Sequence, residues 1–174
     1  MQKRVLITGG TGLLGSKITK KLLENKCTVA YLSTRRNYRK KGVDVFYWNP
    51  EEGELDSQAL KAVDVIIHLA GAGIADKPWT KKRKLEILES RVQSTKLLIK
   101  TLKESDNQVK QLIGASAIGY YGDSSNLLDE ASSGGSDFLA EVCKQWEAAY
   151  ALEEKEVSKS IFRIGIVMAE DGEH

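Results

Sequence analysis

Apolar β-branched runs alternate with stretches of helical period along most of the chain. Residues 4–9 (RVLITG), with Val5, Leu6 and Ile7 in succession, predict a buried strand. Residues 13–26 follow with Leu14, Ile18 and Leu22 spaced by four, which predicts a helix with one apolar face. The same alternation continues. Strands are predicted at 27–33, 43–48, 64–71, 111–117 and 159–167. A short helix is predicted at 57–63 and longer ones at 85–104 and 138–154. In 85–104 the stripe is Leu85, Leu88, Val92, Thr95, Ile99 and Leu102. In 138–154 it is Leu139, Val142, Cys143, Trp146, Ala149 and Tyr150. Strands without inside–outside alternation are buried on both faces, as in a parallel sheet. Strand–helix alternation then gives a doubly wound α/β layer with right-handed crossovers. No repeat interrupts it. Residues 122–137 form the longest loop-like segment, long enough to suggest a functional loop.

Bulk properties narrow the class. With 174 residues the chain has enough length for one domain and a sizeable core. Apolar residues at 41% and charged residues at 29% are ordinary for a globular protein, and a net charge of +2 gives no general attraction to nucleic acid. The basic run at 81–84 starts a helix and reads as a solvated face. No apolar run approaches membrane-spanning length. The two cysteines, Cys27 and Cys143, make neither a disulfide framework nor a metal set; they read as buried thiols of a cytoplasmic protein.

The chemistry begins at "ITGGTGLLG". Gly9, Gly10, Gly12 and Gly15 lie between the first strand and the first helix. Gly10-x-Gly12-x-x-Gly15 fits the dinucleotide fingerprint: one glycine for the tight turn, one for close approach to a pyrophosphate, one for helix–strand packing. Thr11, Leu13 and Leu14 complete the loop whose amides would face the phosphates. The end of the second strand carries Ser33, Thr34, Arg35 and Arg36, with no acid as far as Lys41. An acid there would bind the ribose hydroxyl of NAD. Ser33, Arg35 and Arg36 suit the 2′-phosphate of NADP, which is the cofactor expected, with NAD the less favoured.

Six segments in order, "LITGGTGLLG", "DVIIHLAGAGIADKPWT", "ESRVQSTKLL", "ASAIGYYGD", "DFLAEVCKQWEAA" and "RIGIV", resemble the atypical extended short-chain dehydrogenase/reductases. They are most similar to the bacterial sugar-nucleotide-epimerase-like subgroup of the epimerase/dehydratase family. The resemblance implies a Rossmann domain that binds NADP, with the substrate at the carboxyl ends of the strands. It places Leu69, Ala70 and Gly71 beside a cofactor ribose and Ser116 as the catalytic serine. His68, inside an apolar run, reads as a hydrogen-bonded core residue. Arg91 falls on the apolar stripe with Leu88, Thr95 and Leu98, where a cation needs a partner. A cofactor phosphate, a substrate anion or a core-edge acid would each satisfy it. Tyr120 and Tyr121 suit packing or the pocket wall.

One departure stands out. The superfamily's reductases use Tyr-x-x-x-Lys, in which the tyrosine moves a proton and the lysine tunes it. Lys144 is present as the second catalytic candidate, but Ala140 occupies the tyrosine position. Extended relatives also continue beyond the sixth strand into a substrate domain, so residues 1–174 are expected to be the cofactor-binding portion of a longer protein. Two functions are therefore open. One is hydride transfer with a small polar or nucleotide-sugar substrate. The other is non-catalytic, regulatory NADP binding of the cell-division-inhibitor-like kind. Apolar surface left uncovered by an absent domain would favour a homodimer.

Overall fold

The structure, a computed structural model, describes residues 2–151 and 157–168. Its strands are β1 (Arg4–Thr8), β2 (Thr28–Ser33), β3 (Val43–Asn49), β4 (Glu54–Leu55), β5 (Val65–His68), β6 (Gln111–Ala117) and β7 (Ser158–Ile164). Its helices are α1 (Leu13–Glu24), α2 (Lys81–Glu104) and α3 (Phe138–Ala149), with 3-10 turns at Ser57–Leu60 and Ile118–Tyr121. One seven-stranded sheet runs β4-β3-β2-β1-β5-β6-β7. All its pairings are parallel except the two-residue hairpin of β3 with β4. This is the doubly wound order, growing outward in both directions from β1.

Successive residues of the central strands feed opposite cores, which is why their sequences do not alternate. Val5, Ile7, Val29, Tyr31 and Ile67 pack under α1, against Ile18 and Leu22. Leu6, Ala30, Leu32, Ile66 and Leu112 pack under α2 and α3, against Leu98, Ile99, Leu102, Trp146 and Tyr150.

Several boundaries differ from expectation. The segment at 57–63 is a single 3-10 turn, capped by the Asp56 side chain on the Gln58 amide. Strand β4 was not anticipated. Helix α2 begins at Lys81 rather than 85, because Thr80 caps it by accepting from the Arg83 amide at 3.1 Å. Its buried face is also rotated: Ile87, Arg91, Ser94, Thr95, Leu98, Ile99 and Leu102 are buried, whereas Leu85 is 52% exposed. Strand β5 stops at His68, since Leu69–Gly71 leaves the sheet to line the clefts described below. Helix α3 ends at Ala149, and positions 152–154 of the expected helix lie outside the described residues. Among the described residues no helix is long and apolar enough to cross a membrane.

Candidate functional site

Two clefts meet over the glycine loop, at the carboxyl ends of the parallel strands. One, of about 320 Å³, is bounded by Gly9, Gly10, Thr11, Ser33, Arg35, Ala70 and Gly71. The other, of about 300 Å³, is bounded by Gly9, Gly12–Gly15, Leu69, Arg91 and Ser116. Sixteen positions were expected from the sequence at the site, and all but Arg36 and Lys144 line one or both clefts.

The two exceptions have identifiable causes. The Arg36 guanidinium lies 3.9 Å over the Tyr47 ring and pairs with Glu54 at 3.5 Å, so β3 and β4 draw it away from the cleft. Arg35 instead remains exposed at the rim, with its amide on the Ser33 hydroxyl at 3.1 Å. Lys144 donates to the Gly135 carbonyl at 2.6 Å and thereby ties the 122–137 loop to α3. In this arrangement Lys144 lines neither cleft.

The glycine loop shows which glycines the protein itself requires. Gly9 has φ +68°, and a Cβ there would meet the Leu69 carbonyl carbon at 2.9 Å. A Cβ on Gly15 would lie 2.6 Å from the Gly10 Cα, so the helix could not reach the turn. Gly12 is different: a Cβ there would meet nothing nearer than the Gly9 oxygen at 3.4 Å. It is the N-cap of α1, no side chain caps that end, and no acid lies in the first turn. The loop therefore leaves room and uncapped amide donors at one place. That fits a phosphate group at a helix N-terminus.

A directed hydrogen-bond chain fixes the floor beneath both clefts. The Thr8 hydroxyl accepts from the amides of Leu69 and Ala70, each at 3.1 Å. Its own proton therefore goes to His68 Nδ1, 2.7 Å away. His68 then donates from Nε2 to the Thr95 hydroxyl at 2.9 Å. Thr95 also accepts from the Trp146 indole at 3.2 Å and donates to the Arg91 carbonyl at 2.7 Å. His68 is thus the hydrogen-bonded core histidine expected from the sequence, and burial lowers its pKa to about 3.

Arg91 is 7% exposed. Its Nη1 donates to the carbonyls of Ala72 and Ile87, both at 3.0 Å, and the guanidinium sits 5.1 Å over the Trp146 ring. Burial lowers its pKa. Among the described residues no carboxylate pairs with it. A buried guanidinium lining a cleft without a counter-charge is suited to an anion.

Sequence reasoning missed the surroundings of Ser116. Its Oγ donates to Glu147 Oε1 at 2.6 Å, and Arg163 grips the same carboxylate through Nε at 2.8 Å and Nη2 at 2.9 Å. The guanidinium lies 3.5 Å over the Tyr120 ring and donates to the Tyr121 hydroxyl at 2.8 Å. The available signal was an arginine inside the apolar strand "SIFRIGIV" and a glutamate next to the buried Trp146. Cys143 is buried on the inward face of α3, and burial raises its pKa.

Fold and clefts together define a Rossmann-type, dinucleotide-binding domain of the short-chain dehydrogenase/reductase kind. The family model for the NAD dependent epimerase/dehydratase family matches residues 5–151, and the chain belongs to that family. A Mycobacterium bovis epimerase family protein is 35% identical over 170 residues, covering 97% of this chain and 55% of that protein. A chloroplastic SDR39U1 homologue of Arabidopsis thaliana is 30% identical, covering 98% of this chain and 51% of that protein. The crystal structure of human epimerase family protein SDR39U1 (isoform 2) with NADPH superposes with a TM-score of 0.83 at 28% identity, covering 97% of this chain and 56% of that one. The chain spans about half the length of the curated relatives it matches.

Proposed function

We propose that residues 1–174 are the NADP-binding portion of an oxidoreductase or epimerase-like protein that transfers hydride to or from a small polar or nucleotide-sugar substrate. The observation that carries this is Gly12, a glycine that the protein's own packing does not demand, at an uncapped helix N-terminus where two clefts meet. The amides of Leu13–Gly15 hold the pyrophosphate, and Arg91 supplies the counter-charge that the helix end lacks. Ser33 and Arg35 take the ribose 2′-phosphate. The backbone of Leu69–Gly71, pinned by Thr8, faces the other ribose. The bound cofactor supplies or accepts a hydride. Ser116 meets the substrate oxygen. The human relative of known structure is described with NADPH, which supports the choice of cofactor.

Calorimetric titration with NADPH and NADH tests this. The expected result is selectivity for NADPH and a loss of about tenfold or more in NADPH affinity for Arg35→Glu, since a charged hydrogen bond becomes a repulsion. Equal affinity for the two cofactors, untouched by the substitution, would overturn the assignment.

A second reading has its own support. Ala140 stands where an acid/base tyrosine would be, and Lys144 is engaged on the loop. These favour a regulatory protein that binds NADP without turnover. NADPH oxidation with a panel of carbonyl substrates, abolished in Ser116→Ala, separates the two.

A further inference from the structure

Ser116 closes strand β6 and is 3% exposed, on the wall of the second cleft. A serine hydroxyl has one proton to give and two lone pairs. Here the proton has an assigned place, on Glu147 Oε1 at 2.6 Å. The arrangement is held from four elements. Glu147 rises from α3. Arg163 stands in register beside Ser116 on β7 and grips both carboxylate oxygens. Tyr120 and Tyr121, in the turn after β6, stack on and hydrogen-bond to that guanidinium.

The carboxylate cannot return the favour. Burial alone would raise the Glu147 pKa, but the hydrogen bonds from Arg163 and Ser116 outweigh it and hold the group below the usual carboxylate range. An ionised carboxylate only accepts, and one clamped by a guanidinium is a poor proton acceptor in reaction. Glu147 is therefore a weak candidate for the missing general base. Its effect is on direction.

We propose that Glu147 and Arg163 turn Ser116 into a hydrogen-bond acceptor toward the cleft, so that the substrate oxygen at Ser116 is recognised as a hydroxyl that donates and not as a carbonyl. This rests on the cleft being the substrate side of the cofactor site proposed above. Glu147 is a positioning residue: it sets which way Ser116 faces and does not touch substrate. The substrate class it specifies is an alcohol. The neighbouring groups do not cancel the effect. Cys143 keeps a protonated thiol, a weak donor, and Lys144 is occupied by Gly135.

Tetrahydropyran-4-ol and tetrahydropyran-4-one are matched probes, sharing a ring and differing in this one oxygen. Their binding to the chain in the presence of NADP is read by saturation-transfer NMR. The alcohol is expected to bind about fivefold or more tightly than the ketone, the worth of one buried hydrogen bond. In E147Q the side-chain carbonyl goes to Arg163, leaving the amide NH2 to donate to Ser116. The serine proton then swings into the cleft, and the preference shifts to the ketone. A purely structural role for Glu147 would weaken both probes alike. Equal binding in the wild type, a ketone preference, binding of neither probe, or an E147Q protein that keeps the wild-type preference would each overturn the proposal. A second measurement needs no variant. The Ser116 hydroxyl proton, held on a carboxylate, is expected as a slowly exchanging, downfield NMR signal coupled to its own β protons, and its absence refutes the arrangement. NADPH titration of the same samples keeps the two ideas apart. Lost cofactor binding sinks the function proposed above, whereas retained cofactor binding with indifferent probes sinks only this inference.

Discussion

Lowering the pH from 7 to 5 is expected to destabilise this protein through one residue, His68. The ring is fully enclosed, edge-on to Trp48 and Tyr150, with both nitrogens committed. A second ring proton would have to appear at Nδ1, where the Thr8 hydroxyl already points its own. Burial accordingly lowers the pKa from 6.5 to about 3. The folded protein therefore keeps His68 neutral down to about pH 3, whereas the unfolded chain takes up a proton near 6.5. Stability contributed by the neutral ring is intact above pH 6.5 and falls as pH drops from there toward 3. At about 1.4 kcal/mol per pH unit, the loss by pH 5 is about 2 kcal/mol. For a chain of this size that corresponds to roughly 4–8 °C in melting temperature. Carboxylates held low by hydrogen bonds, Glu147 among them, lose their stabilising contribution only at more acidic pH, outside this window. The assay is urea unfolding followed by tryptophan fluorescence at pH 7, 6 and 5, for the wild type and His68→Gln. Glutamine keeps a donor and an acceptor but does not titrate. The variant starts lower, and its stability should change with pH by about 2 kcal/mol less over the interval. Parallel curves for the two proteins would refute the buried neutral ring.

Other perturbations separate fold from binding. Gly15→Ala drives a methyl into the Gly9–Gly10 backbone and should cost about 2–3 kcal/mol of stability by thermal unfolding. Gly12→Ala meets only the Gly9 oxygen, at 3.4 Å; it should leave stability within about 0.5 kcal/mol yet weaken NADPH binding by about tenfold or more, and an unaltered affinity would show that the phosphates lie elsewhere. Thr8→Val orphans the Ala70 amide and the His68 acceptor, while the Leu69 amide keeps the Thr8 carbonyl. About 3 kcal/mol should be lost by denaturant titration, against about 1 kcal/mol for Thr8→Ser, and equal stability of the two variants would contradict the hydrogen-bond chain.

What could be read from the chain and what could not divide on physical grounds. Local period found α1, whose Ile18 and Leu22 reach the core, and the central strands, whose residues are buried on both faces. The glycine loop was legible because its chemistry is contiguous. On α2 the period places both Leu85 and Arg91 on the apolar stripe; Arg91 is buried there as expected, whereas Leu85, near the helix start, stands half in water. Strand β4 has two residues and no period to detect. Arg35 and Arg36 are the same residue type side by side. Only the position of Tyr47, two strand lengths away in sequence order, decides which one faces the cleft. Ser116, Glu147 and Arg163 are separated by 31 and 16 residues, and the β6–β7 register is what joins them. Lys144 was assigned by spacing from an absent tyrosine. Its ammonium donates to the loop carbonyl of Gly135, a contact that spacing along α3 does not report.

The two-residue strand β4 has a consequence for how copies of the chain can meet. It covers only Trp48 and Asn49 of β3, and among the described residues the outer edge of Asp44–Tyr47 has no partner strand. At the opposite side β7 runs for seven residues, and among the described residues no strand covers its outer edge. Among the described residues the sheet therefore offers unpaired backbone groups at both margins, on β3 and on β7. Such a sheet can take an added strand at either margin, so its edges alone do not limit pairing to two copies.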